Sequence, residues 1–340
     1  MVSLQEEVVD METLARKKRI VGYFLPVLLG IVFIGVAILP VAGKTGESGE
    51  NKDGAGAPVS TISSPSLSLM DGAILGLVEG ATEYLPVSST GHLLLTEHIL
   101  GLARDPATKQ AANAYAIVIQ AGAILAVLGL YRKRIRQMIL GLMGRDASGK
   151  RLALNIVIAF LPAVVAGLLL EDVIKGRLFG LWPVTAAWFF GGISLLVLDR
   201  KRPHEMAGLA IESFGWRHAL GIGLMQCVAL WPGVSRSLAT IAGGLLMGAE
   251  MGAAVEFSFL LGLITLGAAT VYEAYKNGSM IVANFGLMAP LLGFFCALIS
   301  AWVSIKWMVG FLQRRGLALF GWYRIALALV VAVVMVIGAR

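Results

Sequence analysis

Two short stretches of this sequence concentrate side chains that can do chemistry. The first runs from Gly76 through Glu79, Glu83, Tyr84, Leu85, Pro86, Ser88, Ser89, Thr90 and Gly91 to His92. Glu79 and Glu83 are four residues apart and share one helix face. Two such carboxylates repel unless a cation or a shared proton lies between them, and in an apolar helix each is expensive and functional by default. Pro86 closes the first helical arm. A second arm opens at Ser88, Ser89, Thr90 and Gly91, with its first N–H groups unpaired, and such an opening favours a phosphate. The plain alternative is an ordinary serine cap. His92, one helical turn past Ser88 and Ser89, is a candidate phosphate ligand, general acid or nucleophile.

The second stretch reads Trp231, Pro232, Gly233, Val234, Ser235, Arg236, Ser237, Leu238, Ala239, Thr240. Arg236 is the only Lys or Arg between Arg217 and Lys276. Its planar fork suits phosphate. The alternative is an ion pair with Glu79 or Glu83, and the two readings are compatible if phosphate joins the pair. The bend at Pro232 and Gly233 lets backbone N–H groups point at an anion. Two carboxylates, paired serines, a histidine and an arginine are more groups than anion binding needs. Together they point to a site that handles phosphate.

The elements that must carry these residues lie in a membrane. The chain has 340 residues, 57% hydrophobic and 14% charged, with mean hydropathy +0.80. A soluble domain is nearer 45–50% apolar and about 25% charged. The net charge of +7 is spread between apolar runs, which excludes a nucleic-acid face as its explanation. Cys227 and Cys296 lie in apolar stretches and make no disulfide framework, and no Cys/His metal spacing occurs. Six segments are long enough to cross, near 112–130, 152–170, 181–199, 253–272, 283–305 and 320–339. A seventh, at 20–42, follows four basic residues at 16–19 and is expected to be an uncleaved helix rather than a signal peptide. Residues 44–69 form an expected flexible linker on the outer side. Residues 70–340 form the membrane domain, with repeats at 70–199 and 218–340.

The two chemical stretches sit in apolar regions, 70–100 and 218–249, that are broken in the middle. Each arm is too short to cross, so both are expected to be re-entrant hairpins, tolerated where protein satisfies the freed backbone. Basic loops at 16–19, 131–151, 200–217 and 306–324 hold nineteen Lys and Arg, against seven in the loops that alternate with them. All four basic loops fall on the cytoplasmic side only if each hairpin returns to its starting side. Each half is then a hairpin followed by three spans, one starting outside and one inside, which is an inverted-topology repeat. A short echo supports it: Glu79 precedes Ser88-Ser89-Thr90 by the interval at which Gln226 precedes Ser235-Arg236-Ser237. Gln226 joins the site by that position. Gln120 and Glu256 are expected to make helix–helix hydrogen bonds, Glu97 and His98 to lie at the interface, and Trp182 and Trp322 to anchor it.

The stretch from Glu79 to His92, and that from Pro232 through Ser235-Arg236-Ser237 to Thr240, resemble the two signature motifs of the bacterial undecaprenyl-diphosphate phosphatases. This is the integral-membrane family associated with bacitracin resistance. The resemblance runs from about residue 70 to 340. It implies an all-α fold of six core helices with two re-entrant pairs, a periplasm-facing pocket in the inner membrane, and stimulation by a divalent cation such as Mg²⁺ or Ca²⁺. It makes Glu79, Glu83, Ser89, His92 and Arg236 the functional core, with Ser88, Thr90, Ser235, Ser237 and Thr240 binding phosphate or supporting those that do. Ser89, His92 and an activated water remain alternative nucleophiles, Glu83 or His92 the base, and Glu79 with Glu83 the metal ligands. The expected substrate is undecaprenyl diphosphate, with membrane lipid and a homodimer as further partners and no nucleic acid. The rival is an isoprenoid-lipid transporter or flippase, since inverted repeats with broken helices are common in transporters.

Overall fold

The structure is a computed structural model that describes residues 67–102, 106–201 and 207–338. The expected N-terminal helix and nearly all of the linker lie outside these residues. Among the described residues the chain is helical, and the only β pairing is an isolated bridge between Leu209 and Ala249. The helices are α1 (Leu69–Thr82), α2 (Ser89–Ile99), α3 (Pro106–Val118), α4 (Gln120–Leu130), α5 (Arg132–Leu142), α6 (Ala147–Val173), α7 (Leu181–Lys201), α8 (Trp216–Val228), α9 (Arg236–Leu246), α10 (Met251–Phe285), α11 (Met288–Arg315) and α12 (Ala318–Gly338).

Six spans are long and apolar enough to cross a membrane: Thr108–Leu130, which joins α3 to α4, and the helices α6, α7, α10, α11 and α12. Their outer faces carry exposed apolar side chains, among them Leu169, Phe190, Val197 and Val333, which suits a hydrocarbon solvent. α1, α2, α8 and α9 have 14, 11, 13 and 11 residues. At 1.5 Å per residue each is about 16–21 Å long, short of the ~30 Å hydrocarbon core.

Two expected loops are relocated. Residues 273–282 are helical, because α10 runs unbroken to Phe285 and stops at Gly286, whose φ of +66° ends it. Nothing before that glycine forces a turn, and Asn277 bonds Glu273 across one helical turn at 2.6 Å. Likewise α11 continues to Arg315, Gly316 (φ +68°) ends it, and α12 begins at Ala318. Arg324 is therefore a helix-interior residue and not a loop residue.

Small residues set how closely the helices approach. Gly72, Gly76 and Gly80 form a stripe along α1, against the backbone of Ala289, Gly293 and Ala297 on α11. A Cβ at those glycines would lie 2.4, 2.1 and 2.1 Å from the facing carbonyl oxygens. Without a hydrophobic force between helices in lipid, such close packing is what holds them. Ser304 Oγ adds a 2.8 Å bond to the carbonyl of Ala81. In the second half α8 packs on α6 in the same way, and a Cβ at Gly223 would lie 2.5 Å from the Ala159 carbonyl. Glu256 makes the expected interhelical bond, accepting from Arg134 Nε at 2.6 Å, while Arg134 Nη1 reaches Glu212 at 2.9 Å. α5 is thereby tied to the start of α10.

Candidate active site at the two helix breaks

The site is built where α1 passes to α2 and α8 passes to α9. Ser68 caps α1 through a reciprocal bond with Asp71, and α1 then carries Glu79 inward to complete burial. Glu83 follows the last residue of α1, and Ser89 is the first residue of α2. Glu83 has two partners. Its Oε2 accepts a hydrogen bond from Ser89 Oγ, and its Oε1 accepts from Arg236 Nη2 at 3.1 Å. One carboxylate thus joins the hydroxyl of the first motif to the guanidinium of the second. The expected ion pair is present, and it is made by Glu83.

Arg236 is aimed by its surroundings. Nη1 donates to the carbonyl of Ser258 at 2.9 Å, and the guanidinium lies over the ring of Tyr84, 5.2 Å from its centroid. Gly262 gives it room, since a Cβ there would lie 2.5 Å from Nη1. The other hydroxyls of the second motif hold the bend. Ser237 Oγ donates to the carbonyl of Leu85 in the first bend at 2.9 Å, Ser235 Oγ pairs with Ser237 Oγ at 2.9 Å, and Thr240 Oγ1 donates to the Arg236 carbonyl at 2.8 Å. Ser258 Oγ completes the set at 2.6 Å from Thr240 Oγ1.

His92 is buried, and both ring nitrogens are engaged, Nδ1 with the Ser88 carbonyl at 2.7 Å and Nε2 with Tyr323 Oη at 2.6 Å. Trp188 packs edge-on to it, with centroids 5.5 Å apart. Gly91 makes that contact feasible, because a Cβ there would lie 2.3 Å from the indole. Thr90 is half-buried at the start of α2. Gln226 accepts from Thr265 at 3.4 Å through Oε1. Of the residues placed at the interface, His98 is exposed while Glu97 is buried. Trp182 and Trp322 are exposed.

The serine-cap alternative divides between the two breaks. Ser235 does cap α9, accepting from Leu238 N at 3.3 Å, whereas Ser88 makes no side-chain cap bond. Both share an unusual backbone. Ser88 has φ 74°, ψ 100° and Ser235 has φ 81°, ψ 120°, and they are the only positive-φ non-glycine residues among those described. Such conformations cost about 1–3 kcal/mol each and persist where the surroundings impose them. The two serines are 147 residues apart, as are Glu79 and Gln226, and Gly76 and Gly223.

Among the described residues, seven buried side-chain polar atoms lack a hydrogen-bond partner: both carboxylate oxygens of Glu79, Tyr84 Oη, Trp188 Nε1, Gln226 Nε2, Arg236 Nε and Arg324 Nε. All but Gln226 Nε2 belong to the two motifs or to residues touching them. Buried polar groups are normally paired, so their gathering here makes this region the candidate site for a polar ligand.

Tyr84, Trp188, Ser258, Tyr323 and Arg324 were not singled out by motif reasoning. Tyr84 stands inside the first motif. Arg324 carried a legible signal, an arginine within the apolar segment 320–339. Trp188 comes from a distant helix and has no local signature, while Ser258 lies in the helix after α9, in the Glu256–Leu261 segment that the resemblance covers.

The sequence profile of a family described as bacitracin resistance protein BacA matches residues 72–330. The undecaprenyl-diphosphatase of Sorangium cellulosum is 45% identical over 264 residues, 77% of this chain and 84% of that protein. Undecaprenyl-diphosphatase 2 of Rhodospirillum rubrum is 45% identical over 264 residues, 77% and 93% of the two chains. The undecaprenyl-diphosphatase of Nitrosospira multiformis is 41% identical over 265 residues, 78% and 94%. Because the profile runs through both helix breaks and into the last membrane helix, this chain belongs to the BacA family of bacitracin resistance proteins.

Proposed function

We propose that this chain hydrolyses undecaprenyl diphosphate to undecaprenyl phosphate and inorganic phosphate, recycling the lipid carrier for cell-wall synthesis and conferring bacitracin resistance. The observation that carries this reading is Glu83, bonded at once to the Ser89 hydroxyl and the Arg236 guanidinium. Its relatives in the family bear the name of that activity. For a lipid transporter on the same scaffold, two carboxylates, paired serines, a histidine and an arginine are more groups than anion binding needs.

In this mechanism Arg236 holds the terminal phosphate. Ser89 Oγ attacks its phosphorus as Glu83 takes the serine proton. The anhydride P–O bond breaks, and undecaprenyl phosphate leaves with the proton from Glu83. Water then attacks the phosphoserine. Glu83 takes a proton from the water and returns it to Ser89 Oγ as inorganic phosphate departs. A positioned base contributes about 10²–10⁴-fold in such steps. His92 is proposed to hold the bend rather than attack, since both of its nitrogens are engaged.

A divalent cation fits the residues present. Glu79 offers two buried oxygens with no other partner, one helical turn from Glu83. Among the described residues no three His, Cys, Asp or Glu form a cage, so Glu79 and Glu83 would hold Mg²⁺ or Ca²⁺ with substrate oxygens and water completing the shell. The cation would supply charge neutralisation on the diphosphate.

The proposed topology has two re-entrant hairpins, α1–α2 and α8–α9, in an inverted repeat, with the extra helix at 20–42 and a linker at 44–69 preceding the membrane domain at 70–340. The short helices, the shared interval of 147 and the matched serine backbones support it. With Arg324 and Lys276 set aside as helix residues, the expected loops hold eighteen Lys and Arg in one set against six in the other. The proposed orientation puts the first set in the cytoplasm, and the pocket is proposed, from the family resemblance, to face the periplasmic side of the inner membrane. An apolar groove of about 590 Å³ between α6 and α8, lined by Leu161, Pro162, Val165, Leu220, Leu224 and Cys227, suits the isoprenoid tail. A homodimer is the proposed assembly, to be weighed by light scattering in detergent.

The test is phosphate release from undecaprenyl diphosphate by the purified protein in detergent, with Ser89→Ala and Arg236→Ala alongside. Cation-dependent release that vanishes in both variants supports the reading. No release by folded wild type across a panel of prenyl diphosphates and cations would overturn it and send the same proteins to a lipid-flipping assay.

A further inference from the structure

Arg324 is fully buried in α12 and pairs with no carboxylate among the described residues. Its guanidinium donates to three backbone carbonyls: Nη1 to Pro86 at 3.3 Å, and Nη2 to Ala187 and Gly233 at 2.9 Å each. Pro86 stands two residues before Ser88 and Gly233 two before Ser235. The two carbonyls are therefore 147 residues apart and equivalent in the two breaks. One fork grips the same point of each bend and ties both to α7. The fold makes room for it at Gly191, where a Cβ would lie 2.3 Å from Nη2.

We infer that Arg324 is the positioning residue that locks the two helix breaks into one site. An isolated buried charge is costly, and three carbonyl dipoles with no counter-anion are a modest return unless the position is needed. The strained serines need it. Backbone at φ 74° and 81° persists only where neighbours over-determine it, and the grip on the carbonyl two residues upstream restrains each. The contact of Ser237 Oγ with the Leu85 carbonyl fastens the same two bends at a second point. Together these ties fix the distance between Ser89 with Glu83 on one bend and Arg236 on the other. A lysine keeps the charge but, as a compact point donor, cannot reproduce the planar fork.

This inference rests on the hydrolase reading for its kinetic test, and a second readout is independent of activity. Full-length Arg324→Lys, Gly191→Ala (which crowds the guanidinium and leaves it in place), Ser237→Ala and the Arg324→Lys/Ser237→Ala double variant are compared with wild type. Thermal midpoint, kcat and KM for undecaprenyl diphosphate, and hydrogen–deuterium exchange are measured. Assays run well below the midpoint, and rates are expressed per folded protein. Arg324→Lys is expected to lose about 100-fold in kcat, the effect of a misplacement near 1 Å, with KM within about threefold. Gly191→Ala should lose kcat in the same direction. The double variant should depart from the product of the single effects, because both ties restrain one distance. Exchange should rise in peptides spanning 83–92 and 231–240 together. If both Arg324→Lys and Gly191→Ala keep kcat within about threefold of wild type, or exchange rises in one bend alone or in neither, the inference is overturned while the hydrolase reading stands. An inactive wild type would instead overturn the hydrolase reading, and exchange in the two bends would still decide the role of Arg324.

Discussion

Glu83→Gln tests the arrangement most directly. The two charges of the Glu83–Arg236 pair are 3.1 Å apart at their nearest atoms, and the side chains are only 5% and 10% exposed. At an effective dielectric of about 20 their attraction is roughly 5 kcal/mol. Removing one partner leaves a buried charge uncompensated, a loss of about 3–5 kcal/mol in comparable cases. Glutamine keeps the shape but accepts only on its carbonyl side. With its oxygen toward Ser89, the amide nitrogen meets Arg236, donor against donor. With its oxygen toward Arg236, Ser89 loses its base. Either orientation breaks one of two bonds that both serve the reaction. The expected fall in kcat is about 10²–10⁴-fold, the contribution of a general base. That corresponds to roughly 2.7–5.5 kcal/mol at 1.36 kcal/mol per tenfold. The assay is phosphate release at saturating undecaprenyl diphosphate, with the folded fraction fixed by thermal unfolding. A folded Glu83→Gln protein with kcat within about threefold of wild type would refute both the base and the link between the motifs.

Three further outcomes follow from the packing. Gly76→Ala places a methyl 2.1 Å from the Gly293 carbonyl and should destabilise by about 1–3 kcal/mol through overpacking. Gly267→Ala, in α10 with nothing within 4 Å, should be neutral or slightly stabilising, and equal melting points for the two would contradict the close α1–α11 contact. Ser88→Gly should hold or raise the melting midpoint, because glycine adopts φ 74° without the cost a Cβ imposes. Ser88→Ala should bring no such relief, which a thermal-shift comparison reads directly. Tyr323→Phe removes the 2.6 Å bond to His92 and should lower stability by about 1 kcal/mol with less than about a tenfold loss in kcat. A loss as deep as that of Ser89→Ala would instead put His92 and Tyr323 on the proton path.

Much of this molecule was legible because membranes simplify the rules. The length of an apolar run decides whether it crosses, and all six runs recur as helices of sufficient length. Charged residues inside such runs are rare enough to name, so Glu79, Glu83 and Arg236 could be found by type alone. Helix ends were less legible. The end of α10 depends on Gly286 adopting positive φ, and glycines at 262, 267 and 278 inside the same helix do not end it. Composition weighs them alike. The same error put Arg324 in a loop, since an arginine near an apolar segment boundary resembles a cytoplasmic anchor. Its place inside the apolar segment 320–339 hinted at the difference, and its three carbonyl partners, drawn from α7 and both breaks, establish it. Trp188 is invisible for a related reason: its contact with His92 crosses 96 residues of chain.

The interval of 147 residues separates what shapes the site from what reacts in it. Positions that set backbone geometry keep their character across the two halves: Gly76 with Gly223, Val87 with Val234, Ser88 with Ser235. The glycine pair makes close helix contacts, and the serine pair adopts the same rare backbone. Positions that face chemistry have parted. Glu79 is matched by Gln226, Glu83 by Leu230, Ser89 by Arg236 and His92 by Ala239. One break thus keeps the carboxylates and the hydroxyl proposed to react, and the other keeps the guanidinium proposed to bind phosphate. Two identical breaks would place either two pairs of repelling carboxylates or two guanidinium groups at one point. Neither could hold a serine, its base and a phosphate-binding cation in contact. Divergence at those few positions, on a backbone held in common, is what lets a pseudo-symmetric scaffold present an asymmetric reaction centre.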